Sequence, residues 1–280
     1  MPSTLSLEAR VARPRFGTVR GAMAGVRLGA AGAVAGWPVL LGRAVFYMLL
    51  MVVLTALWDK VMAERLPGTL VRSLPPGGLA LYIGVTEWIG LSVPAIHLRL
   101  EDDIRSGALE VYLLRPKAYL AQRVSEAVGA MLARMTTTGA AALLMLSLSG
   151  RPWPAPAALA ALTVAGPLGG LIGILLFTVA GLSAFWLRRT LPLFLIIQKL
   201  LFLLGGLFAP ITLYPDWLAR VAMASPFAAH LYWPASLVLA PSGPAFARTV
   251  TAQAAWIALL CLLIAAIWRA GLRRVLRGEL

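Results

Sequence analysis

The sequence predicts an all-α membrane protein with six transmembrane helices, and three observations carry that prediction. Hydrophobic residues make up 60% of the 280 residues and charged residues only 13%, roughly half the charged share of an ordinary soluble domain. Mean hydropathy is +0.84. Apolar stretches of roughly 20 residues, the length that crosses a bilayer, recur along the chain between short charged or proline-rich breaks. The spans form a single domain, residues 1–280.

The N-terminal segment, 1–37, carries Arg10, Arg13, Arg15, Arg20 and Arg27, with Gly21, Gly25, Gly29, Gly32 and Gly36 at spacings of three or four. Such small-residue spacing lets a helix lie closely on a neighbour, and the arginines favour an amphipathic helix at the cytoplasmic membrane surface. No hydrophobic core with a cleavage site follows at signal-peptide distance, so the segment is expected to be retained. The first span runs from about Pro38 to Trp58 and the second from Leu79 to Leu98. A charged loop, 99–123, leads to the third span, Val124 to Leu148. The turn Arg151-Pro152-Trp153-Pro154-Ala155-Pro156 precedes the fourth, Ala157 to Leu187, and Arg188-Arg189 separates it from the fifth, Leu191 to Ala209. The sixth, Val250 to Trp268, ends in Arg269, Arg273, Arg274 and Arg277. Residues 210–245 are too apolar for an exposed loop, yet Pro210, Pro215, Pro226, Pro234, Pro241 and Pro244 interrupt any crossing helix. A re-entrant outer hairpin satisfies both facts if its breaks are buried in protein. Trp217, Tyr232 and Trp233 suit an interfacial depth there.

Six crossings put both termini on one side. Of the 25 lysines and arginines, sixteen then share that side with the 99–123 loop, against six (Lys60, Arg65, Arg72, Arg151, Arg220 and Arg248) on the other. The positive-inside rule makes the termini and the loop cytoplasmic. The net charge of +14 reads as this orienting charge. Nucleic-acid binding would need basic clusters on a polar surface, which the sequence lacks.

Other chemistries are sparsely provided for. Cys261 stands alone in an apolar run, which rules out a disulfide framework and a cysteine metal site and reads as a small buried thiol. His97 and His230 fall on opposite sides of the membrane in this topology and cannot share a metal or a proton. No Gly-x-x-x-x-Gly-Lys-Ser/Thr loop occurs, so the chain is not expected to hydrolyse ATP itself. Gly166, Gly169, Gly170 and Gly173 lie inside an apolar span, where close helix packing explains them.

Polar residues at membrane depth are the candidates for transport chemistry. Glu87 lies mid-way in the second span, Arg134 in the third, and Gln198-Lys199 in the fifth. A charge at that depth costs roughly 2.5–3.5 kcal/mol on insertion scales, so each should face protein, water or a partner charge. Glu87 and Arg134 lie at comparable depths and can pair. An internal ion pair that fixes packing and a lining of a translocation route are both open readings. Arg43 can snorkel to the cytoplasmic surface.

The charged island Glu101-Asp102-Asp103-Ile104-Arg105-Ser106-Gly107-Ala108-Leu109-Glu110-Val111-Tyr112-Leu113-Leu114-Arg115-Pro116 reads as a docking helix. Its acids come first, where a helix N-terminus favours them. Asp102 or Asp103 can cap the first turn, Ile104, Ala108 and Val111 share a face, and Pro116 stops the helix. A solvated amphipathic helix lying on the membrane is the alternative.

This island resembles the Ile-Arg-x-Gly…Leu-Leu-Arg-Pro segment of bacterial ABC exporter permeases of the type-2 superfamily, in the branch that includes viologen-exporter-like permeases. Gly205-Gly206-Leu207-Phe208-Ala209-Pro210, Tyr214-Pro215-Asp216-Trp217-Leu218 and Ser225-Pro226-Phe227 resemble the signature that follows the fifth span in that superfamily, with Tyr214 where Phe is frequent and Ser225 where Leu is. The resemblance implies a coupling helix at 102–114. In it Asp102, Asp103, Arg105 and Arg115 meet a cytosolic nucleotide-binding ATPase, and Ile104, Ala108 and Val111 anchor to the bundle. Gly107, Leu114 and Pro116 complete the motif. It also implies that the N-terminal helix connects alongside and that 210–245 caps the exit. A second permease subunit, identical or homologous, is expected, with ATP and Mg bound by the ATPase and no cofactor on this chain. The expected function is export of an amphipathic or hydrophobic substrate across a bacterial cytoplasmic (inner) membrane. A rival class is an ion- or proton-driven secondary transporter or channel using Glu87, Arg134 and Lys199, which would favour an internal repeat, and none is seen. A lipid-modifying membrane enzyme ranks below it, for want of a convincing nucleophile–base pair or clustered metal site.

Overall fold

The computed structural model describes residues 19–63, 77–113, 119–207 and 209–277, and over these it is helical with no strands. Helix α1 (Val19–Ala35) is followed by α2 (Trp37–Ala63), α3 (Gly78–Ser92), α4 (Ile96–Arg105), the short α5 (Ala108–Leu113), α6 (Tyr119–Ser149) and α7 (Pro156–Leu182). Then come α8 (Leu191–Leu204), the short α9 (Asp216–Met223), α10 (Pro226–His230) and α11 (Tyr232–Ser236), and finally α12 (Gly243–Leu276).

Among the described residues, five segments are long and apolar enough to cross a membrane: Trp37–Lys60, Gly78–Arg105, Tyr119–Ser149, Pro156–Phe185 and Gly243–Leu276. The expected fifth span is different. Its helix stops at Leu204 after 14 residues, a rise of roughly 21 Å against a hydrocarbon core of about 30 Å. The cause is Gly205-Gly206. Gly206 takes φ +67°, and a Cβ there would lie 2.7 Å from the Tyr82 hydroxyl. In the last turn Leu201 O accepts from the Gly205 N–H at 3.0 Å and Leu203 O from the Tyr214 hydroxyl at 2.8 Å, and just past the break the Tyr82 hydroxyl donates to Gly206 O at 2.6 Å and Thr86 Oγ1 to Leu207 O at 3.1 Å. A helix can end inside the bundle only when its last carbonyls find such partners.

The centre of the bundle is α7. Its glycines form a smooth face: Gly166 abuts the Trp88 ring, Gly169 the His230 carbonyl, Gly170 the Met131 sulfur and Gly173 the His230 ring. Close packing is thus what those glycines serve. The second span bends where Val93 turns extended before Pro94, then continues as α4 directly into the charged island. Helix α12 runs the same way as α7, for Gln253 meets Ala165 and Gly271 meets Phe185. The chain between them therefore returns from the island end to the far end, through α8 and the broken segment after it.

That broken segment, 210–242, is largely enclosed: Ile211, Ala222, Ala228, Ala229, His230, Leu231 and Ala235 are buried. Tyr232 is buried too, edge-to-face with Tyr82 at 6.3 Å, so it belongs to the core and not to an interfacial belt; Trp217 is exposed. His230 is likewise inside the bundle and not at an outer surface. It packs at Gly173 while His97 packs at Gly181, about 12 Å farther along the same helix. Cys261 is exposed on α12, contrary to its reading as a buried thiol, because α12 is peripheral and turns that face outward.

Helix α1 lies along α6 as the glycine spacing predicts. A Cβ on Gly29 would overlap the Glu126 carbonyl, and one on Gly129 the Val26 carbonyl. Arg20 and Arg27 point outward. The earlier N-terminal residues, 1–18, lie outside the described residues.

Candidate functional site

The island is built differently from a helix that begins at its acids. Glu101, Asp102 and Asp103 sit in the last turns of α4. Ser106 closes that helix: its N–H and its Oγ both donate to Asp102 O, at 2.9 and 2.7 Å. Gly107 follows at φ +74°, a left-handed C-terminal stop, and α5 starts afresh at Ala108. The break resets the helical phase. Ile104 and Leu109 are therefore the buried anchors, while Val111, expected on the buried face, is 57% exposed. Leu114, Arg115 and Pro116 lie outside the described residues.

Acids at the C-terminal end of a helix oppose its dipole, and each inward-facing one is compensated. Asp103 Oδ2 accepts from Tyr119 Oη at 2.6 Å and from Arg123 Nε at 2.9 Å. Arg123 also holds Glu126 at 3.1 Å, and its guanidinium lies 5.0 Å from the centre of the Tyr112 ring on α5. Glu101 Oε2 accepts from the Thr190 N–H at 3.0 Å and from the Thr190 hydroxyl, which places a carboxylate at the N-terminus of α8 where the dipole favours it. The island is thus tied to α6 through Arg123 and to α8 through Thr190.

What remains outward is a short edge: Asp102, Arg105, Ser106, Gly107, Glu110 and Val111 are exposed. Arg105 lies 3.9 Å from Glu101 with its side chain 45% accessible. Asp103, expected to face a partner, is engaged within the chain. Residue spacing alone singles out none of Arg123, Tyr119 and Thr190. Thr190 carried a usable signal, since Thr-Leu-Pro is a helix-start pattern with proline in the first turn.

The polar residues at membrane depth do not converge. Glu87 is buried on α3, but among the described residues no ion pair joins it to Arg134. Equal depth fixes height on two helices but not the direction each side chain takes. Arg43 turns inward and donates to Leu91 O at 2.6 Å; it does not snorkel. Lys199 is exposed on α8 with its ammonium 5.6 Å from the Phe202 ring centre, and Gln198 beside it is half-buried. Sequence reasoning missed Gln253, whose buried amide donates to Ala165 O and Ala229 O at 2.9 and 3.2 Å and so joins α7, α10 and α12.

A 540 Å³ cavity lies between α2, α3, α6 and α7 toward the end of the bundle opposite the island. Its walls are almost wholly apolar, with Met51, Met135, Met145, Leu81 and Leu143 among them.

No curated protein and no solved structure matches the chain. A family model described as ABC-2 family transporter protein matches residues 80–276, about seven-tenths of the chain, from the start of α3 to the end of α12. A transport subunit with five membrane-capable helices and a braced charged island fits that match, and the chain belongs to the ABC-2 family of transporter proteins.

Proposed function

We propose that the chain is the permease subunit of an ATP-driven exporter of the viologen-exporter-like branch, moving an amphipathic or hydrophobic substrate out of a bacterial cytoplasmic membrane. ATP and Mg are bound by a separate cytosolic ATPase subunit that docks on the island, and two permease subunits work together. One observation carries the reading: the island is an exposed polar edge on a frame braced to two other helices. A surface loop with no partner needs no such bracing. A docking lever does, because a push on Asp102 and Arg105 must reach α6 and α8 and not be lost in a loose turn. Helix α1, seated on α6 beside Arg123, acts as the connecting helix. Helix α8 and the broken segment 210–242 together make the fifth of six crossings, with the outer part of that segment forming the external cap. The termini and the island are then cytoplasmic.

The test is charge reversal on the exposed edge. Arg105→Glu and Asp102→Lys, each co-expressed with the ATPase subunit, should insert normally yet copurify with less ATPase and show weakened substrate-stimulated hydrolysis. Wild-type copurification and stimulation in both variants would refute docking at this edge.

A further inference from the structure

The cavity between α2, α3, α6 and α7 has a chemical selectivity that its lining spells out. Six polar side chains other than Arg151 line it, and each already gives its hydrogen to a backbone carbonyl of the bundle. Tyr47 donates to Gly84, Thr55 to Met51, Trp88 to Met135, Thr136 to Leu132, Ser149 to Leu146 and Thr163 to Ala160. A guest along these walls is offered no spare side-chain hydrogen, so most of its length must be apolar. The exception sits at the rim. Arg151 lines the far end, paired with Asp59, and Lys60 stands next to Asp59 in sequence. Asp59 is the more exposed partner, 58% against 29%. It can release the guanidinium to an arriving anion without being left as a buried unpaired charge.

The dimensions narrow the guest further. On α6 the lining runs from Leu132 to Ser149, a rise of about 25 Å. The apolar lining is continuous over that length, which suits an elongated apolar body. Tyr47 and Trp88 line the end away from Arg151, and the exposed Leu143 and Thr163 mark access from the side of the bundle.

We infer that this cavity binds an amphiphile with a long apolar body and an anionic headgroup, the apolar body lying along α6 and the headgroup on Arg151. Binding stands on the cavity alone; only the ligand's being the transported substrate rests on the permease reading. The test therefore uses the purified full-length chain in nanodiscs of zwitterionic lipid, without ATP or ATPase. Three photoreactive probes share one diazirine-bearing long chain and end in a carboxylate, an alcohol or a quaternary ammonium, and labelled peptides are mapped by mass spectrometry. The carboxylate probe should label the α2 and α6 walls near Met51 and Leu143 most strongly. Arg151→Gln should lower its labelling about tenfold, to the level of the alcohol, and Asp59→Asn should raise it. Equal labelling by all three headgroups, preference for the ammonium probe, or labelling of the outward face of α12 as strong as that of the cavity would overturn the inference. Loss of ATPase coupling in the docking variants would leave this result untouched.

Discussion

Arg123 is the residue on which the island's rigidity turns. It holds Asp103 at 2.8 Å and Glu126 at 3.1 Å, with all three side chains 12–14% exposed. Two carboxylates flank one guanidinium, so removing it leaves two acids poorly solvated and close together. Breaking such a pair from one side costs about 3–5 kcal/mol. Arg123→Met, which keeps much of the volume, should destabilise the chain by that order in detergent unfolding. Adding Asp103→Asn and Glu126→Gln should recover most of the loss, because the uncompensated charges disappear. If the triple variant is as unstable as the single one, Arg123 acts through packing on Tyr112 and not through charge. Thr190 makes a smaller, separable contribution. Thr190→Ala removes a hydroxyl bound to Glu101 and should cost about 1–3 kcal/mol. It should also lower ATPase stimulation more than it lowers insertion, if the strut to α8 transmits the push. Neither partnership was legible from residue spacing. Asp103 and Arg123 are twenty positions apart, and their meeting depends on how α4 and α6 cross.

At the scale of elements, length and apolarity made five helices legible, since a bilayer demands roughly 20 apolar residues whatever the packing. The ends were less so. The stop of α8 at Leu204 depends on Tyr82 and Thr86 accepting a broken helix, which is tertiary information. The stop of α4 at Gly107 was in principle readable as a glycine C-terminal signal, but the island's charge order favoured one continuous helix. The α1–α6 contact was readable because glycine spacing reports a close approach directly, and it supports a sharp prediction. Gly29→Ala places a methyl on the Glu126 carbonyl, which is backbone and cannot swing aside. Helix α1 should lift from α6, seen as loss of a disulfide engineered between the two helices and faster proteolysis of the N-terminal segment. Gly32→Ala meets nothing within 4 Å and should be neutral or stabilise α1 by about 0.5–1 kcal/mol. Equal behaviour of the two variants would show that the close contact is not what seats α1.

For the whole molecule, charge bears on orientation and helix geometry on the path of the chain. Sixteen basic residues were assigned to the island side and six to the far side, an assignment that required the chain to return between α7 and α12. The parallel course of those helices, through Gln253 at Ala165 and Gly271 at Phe185, supplies that return even though α8 is too short to make it alone. The return follows from the count of apolar stretches, on which the charge assignment itself depends, whereas its construction from a half-length helix plus a broken segment was not legible. The two arguments converge on an experiment. In a Cys261→Ser background, Ser106→Cys marks the exposed turn of the island and Ala155→Cys the exposed entry to α7. A membrane-impermeant maleimide should label position 155 in intact cells and position 106 only in inside-out vesicles. The reverse pattern would place the charged edge outside, away from any cytosolic ATPase. Labelling of both from one side would mean that α6, the helix between the two positions, does not cross the bilayer. Either result would detach the braced island from its proposed role as a lever, while the outcome expected here puts it where nucleotide-driven motion can reach it.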